Sequence, residues 1–100
     1  MASIQLKQTF EGKSSTEVYE AALQAIPGAG FKVWKTRELA KLVLGKGSHL
    51  GQEVRCNVMV SMLDSSATVT AEGEELDEGQ LAPLAEKILE ELAHLLESSG

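Results

Sequence analysis

Toward the C-terminus, apolar residues recur at Leu81, Leu84, Ala85, Ile88, Leu89, Leu92, Leu95 and Leu96, with Glu86, Glu90, His94 and Glu97 opposite them. That is the 3.6-residue period of a helix that buries one face. The stripe is about 140° wide, broader than a coiled-coil seam, and predicts a helix laid flat on a sheet. Asp77 and Gln80 have the spacing of a helix cap, but Pro83 would then break the ladder inside the helix. The pattern therefore predicts a loose turn over 77–81 and a regular helix from Pro83, the proline taking its first position. Ser98, Ser99 and Gly100 are expected to fray.

Upstream, the period changes to two. In Ser3 to Phe10, Ile4, Leu6 and Phe10 point one way, Gln5, Lys7 and Thr9 the other, and Gln8 breaks the inner row, which is a half-buried strand. Ser14 with Glu17 three residues on fits a capping box. The helix it opens carries Val18, Ala22, Ala25 and Ile26 on one face, with Tyr19 and Leu23 at the edge, and Pro27-Gly28-Ala29-Gly30 ends it.

Phe31 to Leu44 reads as a hairpin about Arg37-Glu38. In that register Phe31 faces Leu44 and Val33 faces Leu42 inside, while Trp34 faces Lys41 and Lys32 faces Val43 outside. Gly45 to Gly51 (GKGSHLG) reads as a mobile loop. It lacks the GxxxxGK[ST] spacing of a phosphate loop, and no helix N-terminus follows. Gln52 to Leu63 is the longest strand, with Val54, Cys56, Val58, Val60 and Met62 inward and Arg55, Asn57, Met59, Ser61 and Leu63 outward. A turn at Asp64-Ser65 would bring Val60 to Val69, Val58 to Ala71 and Met59 to Thr70. The acidic stretch Glu72 to Glu78 leads into the last helix.

The order β-α-β-β-β-β-α with short hairpins makes strands two to five a meander. Strand one, reached over a helical crossover, pairs antiparallel with strand five. The expectation is an α+β two-layer sandwich with sheet order 1-5-4-3-2 and both helices on one face, over residues 1–100 as a single domain.

A strand running into STEVYEAAL, a meander and a long terminal helix with LAPLAEKIL together resemble the TATA-binding-protein-like fold and the helix-grip fold of START and polyketide-cyclase-like lipid-binding proteins. The helix-grip resemblance implies a small carrier of an apolar, lipid-like ligand. Its pocket would lie between the last helix and the sheet, with Cys56, Val60, Met62, Ile88 and Leu92 as lining. Fold analogy carries no function by itself.

Charge changes the picture next. The net charge is −6, yet residues 1–63 carry +3 and residues 64–100 carry −9. An acidic total argues against a duplex-DNA binder, because phosphate contacts need clustered cations. Lys7, Lys32, Lys41 and Arg55 nevertheless come from four strands, with Trp34, Val43 and Met59 among them on the outer face. These seven residues are the candidate interaction face. Trp34 opposite Lys41 has the makings of a cation–π contact.

No run approaches the roughly 18 apolar residues of a membrane span, and no signal peptide is visible. One cysteine excludes an internal disulfide framework and suits the cytoplasm. Cys56 shares the parity of Val54 and Val58 and reads as an inert core thiol. His94 four residues after Glu90 makes at most two metal ligands, and His49 reads as a bystander in a glycine loop. The carboxylates of EGEELDE lack calcium-loop spacing and opposed walls for acid–base work. Nothing supplies a nucleophile, a base and an orienting group together, so no catalytic residue, metal or cofactor is expected. The sequence supports a non-enzymatic cytoplasmic binding module. Its expected partner is a protein, including a second copy met through the open sheet face, with a weakly held anion as the lesser expectation.

Overall fold

The structure is a computed structural model and describes residues 2–98. Its elements run β1 (Ala2–Thr9), α1 (Ser15–Gly28), β2 (Lys32–Arg37), β3 (Leu42–His49), β4 (Gln52–Val60), β5 (Ser66–Gly73) and α2 (Glu78–Ser98). The strands form one antiparallel sheet in the order β1-β5-β4-β3-β2, as expected. α1 packs against α2, and both lie on the same side of the sheet, α2 over β1 and β5. The expected fraying at Ser99 and Gly100 lies outside the described residues.

The apolar stripe of α2 forms the centre of the core. Leu81, Ala85, Ile88 and Leu92 are fully buried, while Leu84, Leu89 and Leu95 are half-buried at its margins. Beneath it lie Val54, Cys56, Val58 and Val60 of β4 and Ala67, Val69 and Ala71 of β5. α1 adds Val18, Ala22, Ala25 and Ile26, and Tyr19, expected at the helix edge, is also buried.

Both helix starts follow from side-chain caps. The Ser14 hydroxyl accepts from the Glu17 N–H at 3.1 Å, and the Ser14 N–H donates to the Glu17 carboxylate at 3.3 Å. α2 departs from expectation and begins at Glu78. Asp77 accepts from the Gln80 N–H at 2.8 Å, and the Asp77 N–H donates to the Gln80 side chain at 3.0 Å. This reciprocal cap satisfies two orphan donors, and the helix runs through Pro83. α1 likewise includes Pro27 in its last turn. Gly30 (φ 92°) turns the chain out of it, with Gly30 N–H donating to Pro27 O and Phe31 N–H donating to Ile26 O, the paired bonds of a Schellman end.

Three hairpins differ in detail from the sequence reading. The β2–β3 connection spans Glu38 to Lys41, and a bulge at Trp34 shifts the register. Lys35 therefore faces Leu44, Thr36 faces Val43 and Arg37 faces Leu42. Gly45 to His49 belongs to β3 and is not a loop. The β3–β4 turn is only Leu50-Gly51, with φ of 54° and 79°, the left-handed pair that matches strand twist. β4 ends at Val60, and the connection Ser61 to Ser65 sets Val58 against Val69 and Val60 against Ala67, two residues from the expected pairing. Ser61 N–H donates to Ser66 O at 2.8 Å, and the Asp64 carboxylate accepts from both the N–H and hydroxyl of Ser66. These bonds make the longer turn preferable to a tight Asp64-Ser65 pair.

Candidate functional site

The face of the sheet turned away from the helices is built by alternate residues of the five strands. On β2 and β3 these are Lys32, Lys35, Arg37, Leu42, Leu44 and Lys46, with Trp34 projecting at the bulge. On β4 they are Glu53, Arg55, Asn57 and Met59, with Ser3, Gln5 and Lys7 of β1 and Thr68, Thr70 and Glu72 of β5 beyond them. Trp34 is 49% exposed and Met59 53% exposed, with Leu42 and Leu44 half-buried between them.

Lys46 Nζ lies 5.5 Å from the centroid of the Trp34 ring, close enough for a cation–π contact. Lys41, the partner expected for Trp34, stands in the β2–β3 turn and places its ammonium 5.2 Å from the Tyr19 ring on α1. The extra residues of that turn carry it away from the open face. Val43 is also displaced from the expected set. It is fully buried opposite Val58, because the bulge and longer turn send Val43, rather than Leu42 and Leu44, toward the helices.

Lys7, Lys32, Trp34, Arg55 and Met59 do share this face. The sequence reading missed Leu42, Leu44, Lys35, Arg37 and Lys46. The signal for them was the alternation Val43-Gly45-Gly47, whose glycines continue the inner row where helix-side neighbours press on β3. A Cβ at Gly47 would come 2.6 Å from Cδ1 of Phe31. Small inner residues look like loop residues when read one at a time.

Two of the cations are paired. Lys7 lies 3.7 Å from Asp64, and Arg55 lies 3.7 Å from Glu53. Hydrogen bonds from Ser66 hold the Asp64 carboxyl below the usual carboxylate range, assisted by a bond from Ser61 and the charge of Lys7. Among the described residues, no ion pair involves Lys32, Lys35, Arg37 or Lys46. The helix layer has the opposite character. Glu17, Glu20, Glu86, Glu90 and Glu97 are exposed there, and the one lysine, Lys87, pairs with Glu91 at 3.8 Å.

The apolar pocket expected beneath α2 has a different make-up. Cys56, Ile88 and Leu92 are fully buried and Val60 is 3% exposed. Met62 stands in the β4–β5 turn, 64% exposed, because β4 ends before reaching it. Burial pushes the Cys56 thiol up to about 12, so the nucleophilic thiolate is unpopulated near neutral pH. A shallow depression of about 200 Å³ lies elsewhere, lined by Gln52, Glu53, Arg55, Glu72, Glu74 and Glu75. His49 closes β3 opposite Gln52, and His94 lies on the exposed side of α2. No helix among the described residues is long and apolar enough to cross a membrane.

An antiparallel sheet gripping a long C-terminal helix, with a shorter helix after the first strand, is a helix-grip fold. Among solved structures that share it is the crystal structure of ginseng major latex-like protein 151 from Panax ginseng. It is 12% identical, with a TM-score of 0.60 over 98% of this chain and 96% of that one. At this identity the likeness is one of fold. No protein-family model matches the sequence, and neither does any curated protein.

Proposed function

We propose that this chain is a non-enzymatic binding module whose working surface is the open sheet face, and that its partner is an acidic segment of another protein. One observation carries the reading: among the described residues, Lys32, Lys35, Arg37 and Lys46 stand without carboxylate partners around an apolar group of exposed Trp34 and Met59 and half-buried Leu42 and Leu44. An apolar centre with a charged rim is the anatomy of a protein contact. Like charge disfavours two copies meeting through this face. A single-strand nucleic-acid platform would need several aromatics for successive bases, and Trp34 is the one tryptophan of the chain. Duplex DNA is disfavoured by the net charge of −6. The reading includes one domain over residues 1–100, working in the cytoplasm, where a single buried thiol stays reduced.

Trp34 fluorescence tests it. Polyaspartate or polyglutamate should shift the emission at low ionic strength and lose the effect as the screening length shortens to about 8 Å. Lys32→Glu combined with Lys46→Glu should abolish the response with the circular dichroism unchanged. A wild-type protein silent toward acidic polymers at the lowest salt overturns the reading. A response to single-stranded oligonucleotide alone would move the partner to nucleic acid.

The fold likeness favours a second reading, a carrier of an apolar ligand held under α2. Such a ligand would have to displace the buried side chains of Cys56, Ile88 and Leu92, and packed cores resist that insertion. Native mass spectrometry of protein from its own source separates the readings, since a carrier should retain a lipid-sized adduct.

A further inference from the structure

We propose that the free edge of β1 is a self-pairing edge that joins two copies of this chain into one continuous antiparallel sheet. The inference is independent of the open-face reading and rests on a contrast between the sheet's two edges.

Edge strands that must stay single are blunted by charges, bulges or shortness. β2 has all three: six residues, a bulge at Trp34, and the cations Lys32, Lys35 and Arg37. β1 is neither short nor bulged, and it carries a single charge. It pairs with β5 without interruption over eight residues and has no proline, and its one charge, Lys7, lies 3.7 Å from Asp64 in an exposed pair.

The backbone phase of that edge is fixed. Phe10 N–H donates to Ser65 O, just past the Thr9–Ser66 pair. Alternate residues of an antiparallel strand bond to the same neighbour, so Ile4, Leu6 and Gln8 turn their backbone groups toward β5. Ser3, Gln5, Lys7 and Thr9 therefore present N–H and C=O groups to the open side.

A second β1 running antiparallel about a twofold axis at Gln5 meets those groups in phase. Gln5 then opposes the partner's Gln5, and Ser3 opposes the partner's Lys7, with about six backbone hydrogen bonds formed. On the helix side, Ile4 opposes the partner's Leu6, an apolar pair. Moving the axis to Leu6 sets Ile4 against Gln8, and moving it to Lys7 sets the two lysines together. Of these three axes, Gln5 is the one at which neither mismatch arises.

The helix layer fits the same pairing. α2 lies over both β1 and β5, so its axis runs about half a strand spacing inside the edge. Two such helices would stand about 10 Å apart across the twofold, a normal helix-packing distance. Glu91 lies against Gly28 of α1, so the opposite flank of α2, which carries half-buried Leu89 and Ala93, borders β1. That flank would meet its copy.

Sedimentation velocity over about three decades of concentration tests the proposal at a salt level that screens bordering carboxylates such as Glu86. The wild type should pass from monomer to dimer. Ser3→Lys places a cation opposite the partner's Lys7 twice per dimer and should raise the dissociation constant about tenfold, while Ser3→Glu should lower it by a similar factor. Gln5→Pro removes an outward N–H and should abolish the dimer. If it also disturbs the circular dichroism, the Ser3 variants, which change only an exposed side chain, decide. A monomer at every concentration, or a dimer indifferent to both Ser3 variants, overturns the proposal.

Discussion

A Cβ placed on Gly45 would come 2.6 Å from Cγ2 of Ile26, with the Cys56 carbonyl oxygen at 3.1 Å on another side. β3 therefore crosses beneath the end of α1 with no space for a side chain. Gly45→Ala should destabilise the protein by about 1–3 kcal/mol, the range for overpacking a filled core. Urea unfolding at an unchanged slope measures it. An unaffected midpoint would mean that Ile26 swings aside freely.

Leu92 is fully buried at the centre of the α2 stripe. Truncation to alanine removes its packing and leaves a void, so Leu92→Ala should lose about 2–5 kcal/mol. A loss under about 0.5 kcal/mol, the surface value, would contradict its place in the core.

The Cys56 thiol, pushed up to about 12 by burial, should resist alkylation at mildly alkaline pH. Labelling should proceed only as fast as the sheet opens and should accelerate with added urea. Rapid labelling of the native protein would place the sulfur in contact with solvent.

Asp64 gives the turn a pH dependence. Its folded carboxyl titrates below its unfolded value, chiefly through the Ser66 hydrogen bonds. The stabilisation is therefore present above the ordinary carboxylate range and is lost as pH falls through the folded value. The difference in urea midpoint between wild type and Asp64→Asn should be largest near neutrality and should narrow in acid. A difference constant with pH would mean that the charge contributes nothing.

Periodicity made the layers legible. The α2 stripe, the alternation from Val54 to Val60 and the Ser14–Glu17 cap are each local patterns with one physical meaning, and together they give the sheet order. The faces of β3 were misassigned because its inner row runs Val43, Gly45, Gly47, where α1 and Phe31 leave no room for side chains. That constraint comes from residues distant in sequence, and it made Leu42 and Leu44 look like the core. Lys46 was hidden by the same two glycines, and Lys35 and Arg37 by the bulge and longer turn of the β2–β3 hairpin. Pro83 misplaced the start of α2, since the Asp77–Gln80 cap sustains a turn of helix ahead of the proline.

The excess of cations over carboxylates on the open sheet face, set against the carboxylates on the helices, gives this small protein a permanent electric dipole directed across its layers. An object of this kind turns before it lands. At a pH above its isoelectric point of about 4.8, it would present the open sheet to any anionic surface while its total charge is repelled. Such a chain should be retained on a cation exchanger at neutral pH in dilute buffer, where a uniformly charged protein of the same net value would flow through.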